Sequence, residues 1–538
     1  MKSKTPKLLI KNFLQSLTFI VTSQSAFAAM DLTFDMSALG NPLLNSSNVY
    51  VTFGGFSSDM VYNPLGSSET INFSANNITI NGTSYGTSKA YSLADIAANG
   101  FRINSAQSMT GYISYGATTG LAQLAQNNQP DPFSQTTARW SNFEFTYTGG
   151  NAGGADLTNI TQYGGSLRMD FLNGATSQSF VQNKLNTGDT FRQLAATSSN
   201  TSVSSISNSG EFVRVIGANK WPGSVMGSTV QNPYASFEPY LQSLTNTYGS
   251  NSSSTLTNLA TGASPGGAGS YGYTSLANGT NTRVTANATY NLDYHFGSVT
   301  TNGTGGNGSS LVLSGYVNAT PSAGGNTTVY SGLQISVAGD SASRNATTQL
   351  SMTNFLYLQS TANPSVVTSN SGWENLIADF GQANTEAGIQ LKVAGDFSQG
   401  ILDGFVGSTV IPNGGNSTIG NLSSADWFNQ SIVGPDYTGS VAQPTNQYYS
   451  QWGNVVNSNS DGYNGGNFTR GGVYGNPYDD RFHLNTIAPN GSTTGMKITL
   501  LADGNLNVVP EPSTTLLLLL GGLGIFWMIR KHRAASKP

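Results

Sequence analysis

The chain reads as a mainly β protein, and three observations carry that reading. Short segments of alternating polarity recur, rich in β-branched and aromatic residues. Gly, Asn and Ser separate them, with 64 glycines among 538 residues. Helical spacing is confined to short stretches after residue 370. Many short strands with few long helices predict a sandwich or a barrel.

The strands follow in order. Asn48–Phe53, Thr110–Tyr115 and Phe143–Tyr147 alternate in polarity between turn-rich flanks. Ser166–Phe171 and Glu211–Ile216 continue the pattern, and a β-rich domain over residues 29–350 is expected. Residues 243–285 are almost all Ser, Thr, Asn, Gly and Ala, which offers little to bury and predicts a surface excursion. Strand signals resume at Ser310–Leu313 and Gly332–Val337. Trp373, Leu376, Ile377 and Phe380 then fall at helical spacing, and Gln399–Val406 predicts a second short helix. A mixed α/β lobe over residues 351–508 is expected, ending in a closing strand at Met496–Leu500.

Both ends read as processing segments. Lys2, Lys4, Lys7 and Lys11 precede an apolar run at Leu14–Val21, and Ala26-Phe27-Ala28 is a small-x-small site. Residues 1–28 therefore predict a signal peptide and a signal peptidase as partner. At the other end, Pro510-Glu511-Pro512 precedes an apolar run over residues 514–529 and the basic cluster Arg530-Lys531-His532-Arg533. The run is slightly short for a free span of about twenty residues, and the basic cluster should stay cytoplasmic. This order resembles the PEP-CTERM sorting signal over residues 509–538. The resemblance implies export, a membrane-anchored precursor, recognition by an exosortase-type enzyme, and a mature form at the envelope or outside the cell.

Composition excludes several classes of chemistry. Only 9% of residues are charged and the net charge is -4, so no basic surface for nucleic acid is expected. Cysteine is absent, which removes thiol nucleophiles, disulfides and cysteine metal sites. The histidines are His295, His483 and His532, too few and too scattered for a multi-histidine metal centre. No cofactor is expected. Asn-x-Ser/Thr sequons such as Asn77-Ile78-Thr79 recur, as chance alone produces in such a composition.

The 24 tyrosines, many in polar Gly/Asn-rich segments, point towards carbohydrate, since aromatic faces stack on sugars while amides and carboxylates bond hydroxyls. Several phrases occur in a telling order: Asn48–Gly54, Gly111–Gly116, Trp140–Tyr147, Thr158–Gln162 and, far downstream, Gly471–Phe482. Together they resemble the glycoside hydrolase family 64 β-1,3-glucanases. That resemblance implies a thaumatin-like β barrel or sandwich, a second mixed α/β lobe, and a groove between them for β-1,3-glucan. It also implies an inverting mechanism with two carboxylates, about 6.5–9.5 Å apart so that water fits between base and sugar.

Glu144 matches the family's acid in its Phe-x-Glu-Phe-Thr phrase. Two alignments remain open for the base. One, on Asn159-Ile160-Thr161-Gln162-Tyr163, puts Gly164 where the aspartate belongs. The other, on Met169-Asp170-Phe171-Leu172, requires a longer loop and keeps an aspartate, and it is preferred, with Asp170 as the base. Tyr478, Asp479 and Asp480 match a segment expected to shape the groove. Without a base the chain would bind glucan and not cut it, so the alternative is a non-catalytic polysaccharide-binding or structural matrix protein of the same fold. A surface protein with an accidental resemblance is the third reading.

Overall fold

In the computed structural model, the described residues are most of 29–217, the strands between 290 and 360, and most of 400–508. Residues 1–28, 117–136, 218–232, 244–289, 361–399, 477–486, 509–538 and several short loops lie outside them. The excursion expected at 243–285 and the helix at 373–380 fall almost wholly in those ranges. The described protein is mainly β with few helices.

The N-terminal half forms β1 (Met30–Asp35), β2 (Val49–Gly54), β3 (Asp59–Pro64), β4 (Ile71–Ser74), β5 (Asn77–Ile80), β6 (Thr83–Ser84) and β7 (Ala90–Ser92). The long strand β8 (Gly100–Tyr115) follows, then β9 (Arg139–Gly149) and β10 (Ala152–Leu157). Next come β11 (Gln162–Tyr163), β12 (Leu167–Asn173), β13 (Thr176–Asn183), β14 (Ser205–Asn208) and β15 (Glu211–Ile216). The strands expected before residue 217 coincide with β2, β8, β9, β12 and β15, with Asn48 and Ser166 one position ahead of β2 and β12.

β8 organises the sheet. Its first half pairs with β1 and β3, and its second half with β2 and β9. The change of neighbours coincides with a register shift between Ala106 and Met109, where Ser108 adopts φ 51°. A bulge of this kind bends a strand and sharpens its twist. Thr146 holds the bend by accepting the Ser108 N–H at 3.0 Å.

A second sheet, described here by its backbone alone, contains β16 (Tyr290–Asn302), β17 (Ser310–Pro321), β18 (Thr328–Gly339), β19 (Leu350–Phe355) and β20 (Gln359–Ser360). The C-terminal part adds β21 (Ser460–Asn464), β22 (Asn467–Arg470) and β23 (Gly495–Leu500) to the first sheet. β23 lies between β1, to which it is parallel, and β12, to which it is antiparallel. The closing strand is thus central, and residues assigned to the second lobe share hydrogen bonds with the first. β11, β15 and β14 form a small third sheet.

The large mixed sheet has 15 strands and curls round one core. From β9 to β12 the paired neighbours run β9-β8-β1-β23-β12. On the other side Ala155 of β10 exchanges backbone hydrogen bonds with Ile487, and Ala488 O accepts from Ser179 of β13. Phe34, Phe143, Phe145, Met169, Phe171 and Ile498 meet inside. Burying each such side chain stabilises the fold by about 1.5–3 kcal/mol.

Two of the described helices pack on this core. Helix Thr187–Ala195 starts where the Asn186 side chain accepts the Asp189 N–H, and it buries Phe191 and Leu194. Helix Gln451–Ser458 is capped by Ser450, and its Trp452 donates to Asn159 O at 2.8 Å. That tryptophan is core, which excludes it from sugar stacking. Of the helix expected at Gln399–Val406, the described residues hold helical turn at 400–402, followed by Gly404 at φ 71°.

A buried ion pair joins the first and last parts of the chain. Arg139 of β9 grips Asp503 with both guanidinium arms, at 2.7 and 2.8 Å, while lying over the Tyr115 ring.

Candidate functional site

Glu144 lies in the middle of β9, and alternation decides where it points. Phe143, Phe145 and Tyr147 enter the core, so Asn142, Glu144 and Thr146 take the opposite face. Phe143 sits opposite Gly111, and a Cβ at Gly111 would come within 2.1 Å of its ring. Only a glycine there lets the ring lie across β8, which fixes the register that carries Glu144.

Pairing then builds a row across three strands. Glu144 is opposite Thr110 of β8 on one side and Asp156 of β10 on the other. Directly opposed residues point to the same face, with Cβ atoms about 4.5–5.5 Å apart. The register of β10 depends on a bulge between Ala152 and Gly153, where Gly153 has φ 146°. A Cβ at Gly153 would meet Thr146 O at 2.3 Å, so this turn also requires glycine. Tyr112, whose opposite residue is Asn142, shares the outer face. Further along, Trp140 is buried beneath the Arg214 guanidinium, 3.7 Å from its ring centre, and Arg214 donates to Ala138 O.

The electrostatics follow from this setting. Burial raises the Glu144 carboxyl to about 7, because its ionised form loses water without gaining a cation. The Tyr112 phenol is pushed far up, first by its own burial and then by the Glu144 charge. Glu144 can therefore hold a proton near neutrality.

Asp170 stands on a different wall. Met169 and Phe171 face the common core, so Asp170 projects outward from β12. Its two oxygens accept from Arg168 at 2.6 and 2.8 Å, and one also accepts from Ser177 at 2.6 Å. Arg168 in turn lies over Phe180, 4.0 Å from its ring centre. Asp170 and Glu144 thus leave the outer faces of different strands, and no hydrogen bond between them is seen among the described residues.

Position 164 has no room for a carboxylate. A Cβ there would lie 1.7 Å from the backbone oxygen of Trp140. Tyr478, Asp479 and Asp480 lie outside the described residues, as does His483; of His295 only the backbone, in β16, is described. Tyr474, four positions before Tyr478, exchanges backbone hydrogen bonds with Leu157 and Asn159 at the end of β10.

The sequence reading did not single out Asp156, which the pairing sets opposite Glu144. Its signal was the alternation Ala155-Asp156-Leu157, obscured by the glycines before it. Among the described residues, no group of three or more His, Cys, Asp or Glu is placed to hold a metal ion. An open cleft beside the loop after β1, lined by Phe34, Asp35, Asn41 and Asn45, contains none of the Glu144 row.

The C-terminus carries the PEP-CTERM protein-sorting motif, matched over residues 508–531. It marks a secreted chain with a C-terminal sorting signal that an exosortase recognises. Among the described residues no helix is long and apolar enough to cross a membrane, and the apolar run 514–529 lies outside them. No curated protein matches the chain.

Among solved structures, the chain is similar to a β-1,3-glucanase domain of glycoside hydrolase family 64 from Clostridium beijerinckii. That similarity has 14% identity and TM-score 0.42, and covers 89% of this chain and 100% of the other. A laminaripentaose-producing β-1,3-glucanase of that family from Paenibacillus barengoltzii has 16% identity, TM-score 0.27, and coverage of 42% and 57%. The same enzyme complexed with laminarihexaose gives 15%, 0.25, 39% and 54%. At these values the likeness assigns no residue, and the site stands on its own geometry.

Proposed function

We propose that this protein is an exported glycoside hydrolase acting on β-1,3-glucan, with Glu144 as the acid. The observation that carries the reading is the Glu144 carboxyl, held near pH 7 by burial on a polar outer face. Departure of a sugar alkoxide needs a proton at the glycosidic oxygen, and an acid with a pKa near the working pH supplies it best. The Phe-x-Glu-Phe-Thr phrase round Glu144 supports the substrate class. Tyr478, Asp479 and Asp480 are proposed to shape the groove, because Tyr474 is tied to the end of β10. Before processing, residues 514–529 would anchor the precursor in the membrane, and the mature body would reach the envelope or the medium.

The test is release of reducing ends from laminarin by the full chain purified in detergent. Activity that falls in Glu144→Gln supports the reading; an inactive wild-type protein, or a fully active variant, overturns it.

A second reading, glucan binding without hydrolysis, is favoured by the packing at Gly164 and by the distant, paired Asp170. Retardation in laminarin-containing gels with no product formation would select it. Absence of retardation would remove it.

A further inference from the structure

We propose that residues 501–508 are a strap that docks the start of the sorting signal on the folded body, and that processing waits until the end of this strap peels away. The inference rests on the reading of residues 514–529 as the precursor's membrane anchor. It is independent of the hydrolase reading.

The strap leaves β23 and is bound along its length. The Leu501 N–H donates to Ser166 O and the Asp503 N–H to Leu39 O, each at 3.0 Å. Ala502 O and Asp503 O accept from the Thr187 and Gly188 N–H groups at 2.9 and 2.8 Å, at the start of helix Thr187–Ala195. The first N–H groups of a helix have no partner inside it, so the strap caps this one. Arg192 of the same helix donates to Asn505 O at 2.8 Å. Further on, the Phe212 N–H of β15 donates to Leu506 O at 2.8 Å, and the Val508 N–H donates to Gly210 O at 2.9 Å.

Side chains anchor the same segment. Asp503 meets Arg139 and Asn41, Leu506 is buried, and Val508 packs on the core. Two glycines let the backbones approach. A Cβ at Gly188 would lie 1.9 Å from Asn505 O, and one at Gly504, with φ 63°, would lie 2.5 Å from Asn186 Oδ1.

The matched sorting motif starts at residue 508, so its first residue is already a body contact. An enzyme that reads the motif as an extended segment needs the same backbone groups. Only residues 509–513 separate Val508 from the apolar run. Fully extended, the stretch from 508 to 514 spans about 20 Å. The polar headgroup layer takes about 5–7 Å of that. What remains is little more than the width of one helix, about 10–12 Å. A peptidase in the membrane therefore meets the β14–β15 turn at residues 208–211, and the exposed Asn505 and Asn507, before it meets a longer free segment. Release of Leu506 O and the Val508 N–H supplies that segment. Hydrolysis beyond residue 508 then adds one water: its hydroxyl goes to the acyl carbon on the body, and its proton to the amine that leaves with the apolar run.

The test uses the full chain. Hydrogen exchange in detergent should find the Val508 amide protected in wild type and faster to exchange in Gly188→Ala. Pulse-chase in cells that co-produce an exosortase-type peptidase reads conversion of precursor to mature protein. Gly188→Ala favours the helix but pushes Asn505 away, and should speed conversion by about tenfold, the worth of one net hydrogen bond. A Gly/Ser spacer of about six residues after Val508 should do the same without touching the body, and serves should the alanine variant fail to fold. Conversion of the spacer variant that is unchanged, slower or absent overturns the restraint. An unprotected Val508 amide in wild type overturns the strap. Carbonate washing that strips the precursor from membranes rejects the anchor, and the restraint with it, whatever the outcome with laminarin.

Discussion

Glu144 and Asp170 have the same local surroundings in sequence and opposite fates in the fold. Each is a carboxylate in mid-strand between two large apolar residues that enter the core. On the β12 wall, Arg168 and Ser177 meet Asp170 and satisfy it. On the β9 wall the opposed residues are Thr110 and Asp156, and the Glu144 carboxyl rises to about 7. Alternation decides which way a side chain points, and the neighbouring strands decide its chemistry.

The strongest stability test uses a third polar group on these walls. Arg139 is five residues from Glu144 on the same strand, yet it is fully paired with Asp503. Asp503→Asn strips a buried arginine of its counter-charge and should cost about 3–5 kcal/mol in urea unfolding. A loss below 1 kcal/mol would mean that pairing on β9 is weaker than the geometry implies.

Next is the β12 wall itself. Asp170→Asn removes the charge and one of the two acceptor oxygens that meet Arg168, and should destabilise by about 1–3 kcal/mol. Laminarin turnover should stay within twofold of wild type. A large drop in turnover at unchanged stability would restore Asp170 as the base and break the contrast between the walls.

Gly111→Ala tests how the β9 wall is set. The new methyl collides with the Phe143 ring, and overpacking of this kind costs about 1–3 kcal/mol. A fully stable, fully active variant would show that the register does not depend on that ring.

The smallest effect is a pH dependence. A carboxyl raised from 4.5 to about 7 is protonated in the folded state and ionised in the unfolded state across that window. Unfolding therefore releases a proton there, and stability falls as pH rises through it, then levels off. Glu144→Gln should remove this slope. Its stability above pH 7 should exceed wild type by about 1–2 kcal/mol, a figure reduced from the full linkage value for partial exposure. Identical curves from pH 4.5 to 7 would place Glu144 in water.

Much of the sheet was legible before any coordinates. The strands at Val49–Gly54, Glu211–Ile216 and Gly495–Leu500 follow from alternation and β-branched residues. Their order was not legible, because β23 enters between β1 and β12 from more than 300 positions away in sequence. The partnership of Arg139 with Asp503 is equally non-local. Glu144 was legible from its strand phrase. Asp156 was not, since its alignment with Glu144 depends on one glycine bulge after a turn. Gly164 was read as an empty place for a base, and the packing against Trp140 gives the steric reason.

The measurement closest to the central claim compares laminarin hydrolysis by wild type, Glu144→Gln and Asp170→Asn near neutral pH. Wild type should release reducing ends, Glu144→Gln should lose about 10²–10⁴-fold in kcat, and Asp170→Asn should match wild type. Equal turnover in wild type and Glu144→Gln would contradict the account.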